Sequence, residues 1–267
     1  MKLKQQYIYP LLMGLVIVGF YLYEQKQSII AKPDLEEKGN SAYNNFYLPS
    51  STTNQIVHHE FYSLSYNELH EQAEWVAYEL KKEHVSDADR KRPYFNEDPK
   101  VSTGSAGWRN YKNSGYDRGH LCPAGDRRFS LEAYNETFYT SNISPMEHTF
   151  NSGIWNRLEQ QTRKWAKRYD GVFVVTGGIL GDSQNAIGSE KVTVPTYFYK
   201  ILLDNRLGSY KLIAFLVPHQ QSNDDLKNFI VTVDQIELLT GIDFFPNLPD
   251  DQENIAEAKV YLRDWSL

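Results

Sequence analysis

Residues 116–128 read Tyr-Asp-Arg-Gly-His-Leu-Cys-Pro-Ala-Gly-Asp-Arg-Arg, and this stretch carries the most chemical information in the 267-residue chain. Its core places a carboxylate (Asp117), a guanidinium (Arg118), a glycine (Gly119) and an imidazole (His120) in four consecutive positions. An imidazole with a pKa near neutrality accepts a proton from water at physiological pH, and a guanidinium binds phosphate through a fork of donors. The core therefore indicates attack of water on a phosphodiester.

Two segments after the core extend this pattern. Residues 140–145 read Thr-Ser-Asn-Ile-Ser-Pro, and residues 151–159 read Asn-Ser-Gly-Ile-Trp-Asn-Arg-Leu-Glu. A four-residue motif alone would be weak evidence for a protein family. The same motif followed by the pattern Asn-x8-Asn-x7-Glu is much more specific. Together they resemble the DNA/RNA non-specific endonucleases, a family that includes secreted bacterial nucleases and mitochondrial endonuclease G. Residues 62–68 also resemble the bacterial branch of this family.

The resemblance implies a fold and a set of residue roles. The expected fold class is α+β, with a mixed, mainly antiparallel central sheet, flanking helices and a ββα-metal (His-Me finger) active site. His120 would be the general base, and Arg118 would bind substrate beside it. Asn151 would be the direct protein ligand of a single Mg²⁺, for which Mn²⁺ could substitute. Glu159 would hold metal-bound waters, and Asn142 would support the site by hydrogen bonding.

The residues after Asn151 also predict a helix. Large or apolar residues recur at three- and four-residue steps over 151–169. At about 100° per residue, Asn151 and Glu159 fall about 80° apart, so both could border one cleft. Asn151 would equally suit a helix N-cap, and Glu159 a solvated helix position. One or two protein oxygens completed by water and substrate phosphate suit Mg²⁺.

Several arginines are candidates for contact with substrate. Arg90 and Arg92 both lie in the stretch that resembles the one in which the family carries a phosphate-contacting arginine, and Arg92 is the predicted contact. Arg127 and Arg128 are further candidates for binding the nucleic-acid backbone. The whole chain carries a net charge of −6, but residues 90–128 hold nine Lys and Arg against four Asp and Glu, which is 9 − 4 = +5. A basic groove on an acidic body is compatible with a polyanionic substrate.

The remaining histidines and the single cysteine are interpreted as structural. The histidines without a motif around them are His58, His59, His70, His84, His148 and His219. Cys122 is the only cysteine, so no internal disulfide forms, and it is expected to be a small buried residue behind the site. No His-Glu-x-x-His motif or Cys/His cluster with zinc spacing occurs.

The N-terminal region contains the one long uncharged apolar run, residues 7–23. As a helix it would span about 25 Å, slightly less than the roughly 30 Å hydrocarbon layer. Tyrosines near its ends and preceding lysines favour a membrane anchor with the catalytic domain outside the cytoplasm, periplasmic or extracellular. A cleaved signal peptide, which would make the protein secreted, is the alternative.

Composition and patterning divide the chain into three parts. These are an anchor or signal segment (1–25), a polar linker (26–54) and an endonuclease domain (55–267). Within the domain, apolar spacing predicts a strand over 57–66 and a helix over 67–83, and later segments predict three strands and a helix that ends at Gly241. The later segments are Val172–Thr176, Thr193–Leu203, Lys211–Val217 and Val233–Leu239.

Three functions remain open at this point. The first is a metal-dependent endonuclease that cleaves DNA and RNA with little sequence preference and leaves 5′-phosphate ends. The second is a non-catalytic nucleic-acid binding protein of the cell envelope, and the third is a phosphodiesterase acting on small nucleotides. The partners expected are DNA and RNA, a membrane through residues 7–23, and a second copy of the chain, since some members of the family dimerise.

Overall fold

The structure, a computed structural model of the chain, describes residues 45–181, 183–206, 209–260 and 262–266. The apolar run at 7–23 and the expected anchor or signal segment at 1–25 lie outside these described residues. None of the helices within them combines the length and apolar character needed to cross a membrane.

A seven-stranded antiparallel sheet forms the centre of the fold, in the order β1-β2-β3-β6-β9-β10-β11. Two small antiparallel pairs, β4-β5 and β7-β8, lie outside it. The strands are β1 (Ile56–His58), β2 (Ser63–Asn67), β3 (Gln72–Lys81), β4 (Asp117–His120), β5 (Ile143–Met146), β6 (Gly171–Gly178), β7 (Ala186–Ile187), β8 (Val192–Thr193), β9 (Tyr197–Asp204), β10 (Lys211–Pro218) and β11 (Ile230–Val231).

Helices cover both faces of the sheet. The α-helices are α1 (Leu131–Glu136), α2 (His148–Phe150), α3 (Asn156–Tyr169), α4 (Val233–Thr240) and α5 (Asp250–Glu257). Short 3₁₀ turns occupy Asn45–Tyr47, Lys82–His84, Trp108–Tyr111, Ala124–Asp126, Thr140–Asn142, Leu226–Phe229 and Leu262–Asp264. Helix α3 packs on one face, whereas α4 and α5 contribute to the core on the other face. The expected α+β class with a mainly antiparallel sheet is confirmed.

The strands at the centre of the sheet bury both faces. In β3, Val76 and Tyr78 pack into the core beneath α3, whereas Trp75 and Ala77 face the opposite core. This follows from the alternation of side chains along a strand. The predicted strands Val172–Thr176 and Lys211–Val217 are confirmed within β6 and β10. The strand predicted over Thr193–Leu203 is confirmed only from Tyr197 onward, in β9, because Thr193 belongs to the separate strand β8.

The helix predicted over residues 67–83 is wrong, because this segment contains the turn after β2 and the strand β3, which pairs antiparallel with β2. A strand that is buried on both faces, such as β3, has a nearly continuous run of apolar residues. Such a run also contains apolar residues at the three- and four-residue spacing that is typical of a helix. Glu71 has φ of 53°, a left-handed conformation that interrupts any helix. Leu69, one of the apolar residues whose spacing predicted this helix, is 83% exposed.

The helix predicted near the C-terminus is confirmed as α4. Thr232 Oγ1 accepts a hydrogen bond from the N–H of Gln235, and the N–H of Thr232 donates to Oε1 of the Gln235 side chain. Gly241 has φ of 70°, where a residue without Cβ is favoured, and its N–H donates to the carbonyl of Glu237. These two caps set the ends of α4.

Part of the expected linker packs against the folded body. The backbone carbonyl of Ser50 accepts a hydrogen bond from Trp75 Nε1 at 2.8 Å, and the N–H of Ser50 donates to Asp243. The N–H of Thr52 donates to the carboxylate of Glu74 at 2.9 Å. These contacts place residues 45–54 on the sheet, ahead of the boundary expected at residue 55.

Candidate active site

The core motif forms the first strand of a ββα unit. Strand β4 pairs antiparallel with β5, so that Asp117 lies opposite Met146 and His120 lies opposite Ile143. Shortly after β5 the chain enters α2, a wide π-helical turn over Asn151–Trp155, and then α3. The topology therefore brings the histidine and the Asn151 segment together in one compact unit.

His120 lies between two aromatic rings. Its ring centroid is 5.7 Å from that of Phe95 and 5.0 Å from that of Phe138. Nε2 is enclosed and has no hydrogen-bond partner among the described residues, whereas Nδ1 is not enclosed. Burial, and to a smaller extent the positive charge of Arg92, lower the pKa of His120 to about 3. The imidazole is therefore neutral at physiological pH and has one nitrogen available as an acceptor.

Asn142 forms hydrogen bonds with the backbone of the segment that follows His120. Its Nδ2 donates to the carbonyls of Cys122 at 3.0 Å and Thr137 at 2.9 Å. Its Oδ1 accepts a hydrogen bond from the N–H of Cys122 at 2.8 Å. The side chain is fully buried, and these bonds hold residues after His120 in place. Asn142 thus supports the site without facing it.

Asn151 begins the wide turn and is oriented by the core motif. Its Nδ2 donates to Asp117 Oδ2 at 3.1 Å, and the same carboxylate oxygen lies 3.0 Å from His148 Nδ1. Because the amide nitrogen is engaged, Oδ1 remains as the free acceptor atom. The extra residue of the wide turn and the irregular backbone of Gly153 (φ −96°, ψ −108°) mean that the regular-helix angle of 80° to Glu159 does not apply.

Glu159 lies in a buried cluster of charged groups. Its Oε2 is 4.0 Å from Arg163 Nη2, and Arg163 donates to Asp126 at 2.6 Å. Lys200 is fully buried, with Nζ 4.8 Å from the ring centroid of Trp155. Burial raises the pKa of Glu159 to about 7, while the positive charge of Lys200 opposes that rise. Glu159 is therefore not the solvated helix residue that the alternative reading expected.

A basic and aromatic groove lies next to the histidine. It has a volume of about 740 Å³. Its lining residues are Lys91, Arg92, Pro93, Tyr94, Phe95, Asn96, Trp108 and Arg118. The guanidinium carbons of Arg92 and Arg118 lie 5.2 Å and 4.9 Å from the ring centroid of Phe95. Phe95 thus contacts the histidine and both arginines.

Residues 39–251 match the family model described as DNA/RNA non-specific endonuclease. The chain belongs to this family. As a family member it is an endonuclease, and its ββα unit with His120 and Asn151 corresponds to the motif that the sequence predicted.

Relatives of this endonuclease support the assignment. It is 34% identical over 253 residues to mitochondrial nuclease EXOG of Xenopus laevis, covering 88% of this chain and 70% of the frog protein. It is 38% identical to the human EXOG over 217 residues, covering 74% of this chain and 59% of that protein. Human mitochondrial endonuclease G is 34% identical over 209 residues, covering 73% of this chain and 70% of that protein.

A solved structure has the same fold. It is titled "Crystal structure of the EndoG/EndoGI complex: Mechanism of EndoG inhibition", and the similarity has a TM-score of 0.69 at 31% identity. The alignment covers 74% of this endonuclease and 88% of that chain. The similarity supports the expected ββα-metal fold.

The endonuclease offers oxygen atoms suited to a hard cation. Oδ1 of Asn151 is left as an acceptor by the hydrogen bond from Nδ2 to Asp117. Hard divalent ions such as Mg²⁺ prefer oxygen ligands and keep several waters. This oxygen donor therefore fits the divalent metal ion that the family implies. It does not resemble a zinc site, which is usually built from cysteine sulfur and histidine nitrogen.

The structure separates the candidate arginines by what each side chain contacts. Arg92 and Arg118 line the groove beside His120. Arg90 instead donates from Nε to the carbonyl of Arg128 at 3.1 Å. Arg127 is buried and donates to the carbonyls of Phe61 and Glu79, so its expected role in binding substrate is wrong.

Several residues of the site were missed by the sequence analysis. Lys200 interacts electrostatically with Glu159; burial lowers the pKa of its amine, while Glu159 and Asp126 oppose that shift. A single lysine inside the apolar run 197–203 could have indicated it. Phe95 and Trp108 in the groove had no such signal. Cys122 is fully buried, as expected, and burial raises the pKa of its thiol to about 12.

Proposed function

We propose that this endonuclease cleaves DNA and RNA with little sequence preference, and that His120 is the general base that activates water. The observation that carries the proposal is the position of His120, whose Nδ1 is not enclosed, in contact with Phe95 and beside a groove containing Arg92 and Arg118. Neutral imidazole accepts a proton, whereas imidazolium would not.

The surroundings of His120 indicate which ring nitrogen carries the proton and which one accepts a proton. With the proton on the enclosed Nε2, Nδ1 is the acceptor that takes a proton from the attacking water. A pKa of about 3 would make the imidazole a weak base in the free enzyme. The negative charge of a bound phosphate raises the pKa of a nearby histidine, so substrate binding would strengthen the base.

The groove supports binding of the phosphate backbone. Arg92 and Arg118 provide planar donor forks that match phosphate oxygens, and Lys91 adds a third positive charge. Trp108 and Tyr94 are 38% and 91% exposed, and their rings are available to stack on bases. None of these contacts distinguishes one base from another, which agrees with weak sequence preference.

The metal would be held by Asn151, with Glu159 holding its water ligands. Bound there, Mg²⁺ would neutralise charge on the phosphate and stabilise the leaving oxygen. Asp117 orients the Asn151 amide through its hydrogen bond. Lys200 and Arg163 favour the ionised form of Glu159, which is the form that binds water ligands of a cation. Mn²⁺ would substitute for Mg²⁺.

The test is cleavage of supercoiled plasmid and of total RNA by the full chain and by His120→Ala. Wild type should degrade both substrates in Mg²⁺ and neither in EDTA. Removal of a general base reduces turnover by about 10²–10⁴-fold, while plasmid binding in a gel shift should survive. His58→Ala, at an exposed histidine, is the matched control and should keep wild-type activity.

The outcomes separate this proposal from its alternatives. Unchanged turnover in His120→Ala would contradict the role of the histidine. A gel shift without cleavage in Mg²⁺ or Mn²⁺ would favour a nucleic-acid binding protein. Hydrolysis of a model diester without cleavage of plasmid or RNA would favour a small-nucleotide phosphodiesterase.

We also propose that residues 7–23 anchor the protein in a membrane, with the catalytic domain outside the cytoplasm. The proposal rests on the apolar run and its flanking tyrosines and lysines. Cell fractionation of the full chain should recover the protein with membranes, and removal of residues 1–25 should release it. Recovery of the full chain away from membranes would contradict the anchor, and a shortened secreted product would indicate a cleaved signal.

A further inference from the structure

A cluster of acidic side chains lies where the two C-terminal helices meet. Asp234 and Glu237 lie three residues apart on α4 and therefore share a face of that helix. Glu257 is the last residue of α5. One carboxylate oxygen from each of these three residues lies within 4.8 Å of the other two. None of the three belongs to the candidate active site.

Glu257 is the residue that makes this cluster more than a solvated acidic surface. It is only 6% exposed, and its Oε1 is enclosed without a hydrogen-bond partner in the described part of the chain. Oε1 of Glu253, one helical turn earlier on α5, is enclosed and unpartnered in the same way. Buried carboxylate oxygens are costly unless they are hydrogen-bonded, paired or bound to a metal.

The surrounding charges increase that cost. The groups that act on the Glu257 carboxyl from the neighbouring elements are all acidic: Glu237 and Asp234 on α4, Glu253 on α5 itself, and Asp243 in the segment after α4. Each of them disfavours the ionised form of Glu257. A cation placed among them would reverse the sign of the local interaction.

We propose that Asp234, Glu237 and Glu257 bind a Ca²⁺ ion that joins α4 to α5, with Glu253 as an additional ligand or water-holding group. The donor set is made only of oxygen atoms, which is the preference of Ca²⁺.

The spacing of the oxygens also suits Ca²⁺. Two ligands bonded to one Ca²⁺ at 2.3–2.6 Å lie at most about 5 Å apart, and the three oxygens lie within 4.8 Å of one another, which is inside that limit. Mg²⁺ is usually bound by only one or two carboxylates and keeps several waters, so a site with three carboxylates favours Ca²⁺. One oxygen of Glu237 accepts a hydrogen bond from the N–H of Phe244 at 2.8 Å, which leaves its second oxygen for the ion.

The role of this ion would be structural. Helices α4 and α5 both pack against the same core, through Val233 and Ile236 on α4 and Ala256 on α5. Without a cation their facing carboxylates repel one another. With the ion bound, the same carboxylates would hold the two helices together and stabilise the C-terminal part of the domain.

The experiment is thermal unfolding of the full chain in metal-free buffer with increasing CaCl₂. Ca²⁺ should raise the Tm of wild type in a saturable manner, by about 3–6 °C at concentrations well above Kd. Asn151→Ala should show the same shift, because it alters only the proposed catalytic metal site. Glu60→Gln, which neutralises an exposed carboxylate outside the cluster, is the matched control and should also keep the shift.

Two variants decide the outcome. In Glu257→Gln the Ca²⁺ shift should be lost, and the Tm in EDTA should be equal to or above that of wild type because the amide is neutral beside the other acids without needing a proton or a cation. Asp234→Asn, at an exposed position, should also lose the shift and serves if Glu257→Gln does not fold. An unchanged Ca²⁺ shift in the folded variants would overturn the proposal, as would the absence of any shift in wild type.

Discussion

Asp117 Oδ2 accepts a hydrogen bond from Asn151 Nδ2 at 3.1 Å, which joins the first residue of β4 to the first residue of the wide turn. These residues are 34 positions apart in the chain, yet the antiparallel pairing of β4 with β5 brings them into contact. The hydrogen bond determines which atom of the Asn151 amide is free. One carboxylate therefore links the strand that carries the proposed base to the proposed metal ligand.

Replacing Asp117 should weaken metal binding more than it weakens catalysis at saturating metal. Asp117→Ala removes the acceptor that orients Asn151, and loss of such an outer partner typically costs about 10–100-fold in metal affinity. Titration of nuclease activity with Mg²⁺ should show a higher half-saturating concentration with a similar plateau. Asp87→Ala, at an exposed carboxylate, is the control, and an unchanged Mg²⁺ titration for Asp117→Ala would contradict the orienting role.

Replacing Lys200 should move the acid limb of activity to higher pH. The positive charge of Lys200 opposes the rise in the pKa of Glu159, which already lies at about 7. In Lys200→Met the pKa of Glu159 should rise further, so a higher pH is needed to ionise it. The measurement is kcat/KM against pH at constant excess Mg²⁺, with exposed Lys164→Met as the control. If the pH dependence of kcat/KM is the same in Lys200→Met as in wild type, the ionisation of Glu159 does not limit the reaction.

Removing the Asn142 side chain should destabilise the domain. Asn142→Ala leaves the N–H and carbonyl of Cys122 and the carbonyl of Thr137 without their partner in a fully buried site. Each unsatisfied buried group costs about 1–3 kcal/mol, so for three such groups we expect a loss of at least about 3 kcal/mol in the free energy of unfolding. Urea unfolding measures it, and exposed Asn135→Ala should be close to neutral. A loss below about 1 kcal/mol would contradict the role of these hydrogen bonds.

A side chain at Gly119 should disturb the pairing of β4 with β5. A Cβ atom at this position would lie 2.9 Å from the Cβ of Met146 and closer still to the outer atoms of that side chain. Overpacking of this kind costs about 1–3 kcal/mol. Gly119→Ala should lower both stability and activity, and the added change Met146→Ala should recover part of the loss. If the loss of unfolding free energy in the double variant equals the sum of the losses in the two single variants, the contact between residue 119 and Met146 is not the cause.

The acidic cluster should make metal-free stability fall as pH rises. Burial first, and then neighbouring acids, raise the pKa of Glu257 to about 9 and that of Glu253 to about 7, from an ordinary value of 4.5. The folded state therefore holds more protons than the unfolded state between about pH 4.5 and 9, and stability decreases with pH across that window. Urea unfolding in EDTA should show this decrease, and Glu257→Gln should flatten it. Equal slopes in the two proteins would contradict the assignment.

The sequence was most informative where chemistry is written in consecutive or regularly spaced residues. His120 and Asn151 were recognised from their motif, and the structure brings both into one ββα unit. The sequence was least informative at β3, where burial on both faces hides the alternation that identifies a strand. It also failed for Arg127, because a buried arginine that bonds to carbonyl oxygens looks the same in sequence as one that binds phosphate.

The sequence by itself determined the family and the α+β class, and it singled out His120 as the proposed base, because these depend on local motifs and on the apolar pattern of β6, β9 and β10. Only the tertiary structure decided which arginine lines the groove, why Glu159 has a raised pKa, and that Glu257 faces two acids from α4. Those properties arise from burial and from contacts between distant parts of the chain. Desolvation and electrostatic interaction act through space, so residue spacing along the chain does not encode them directly.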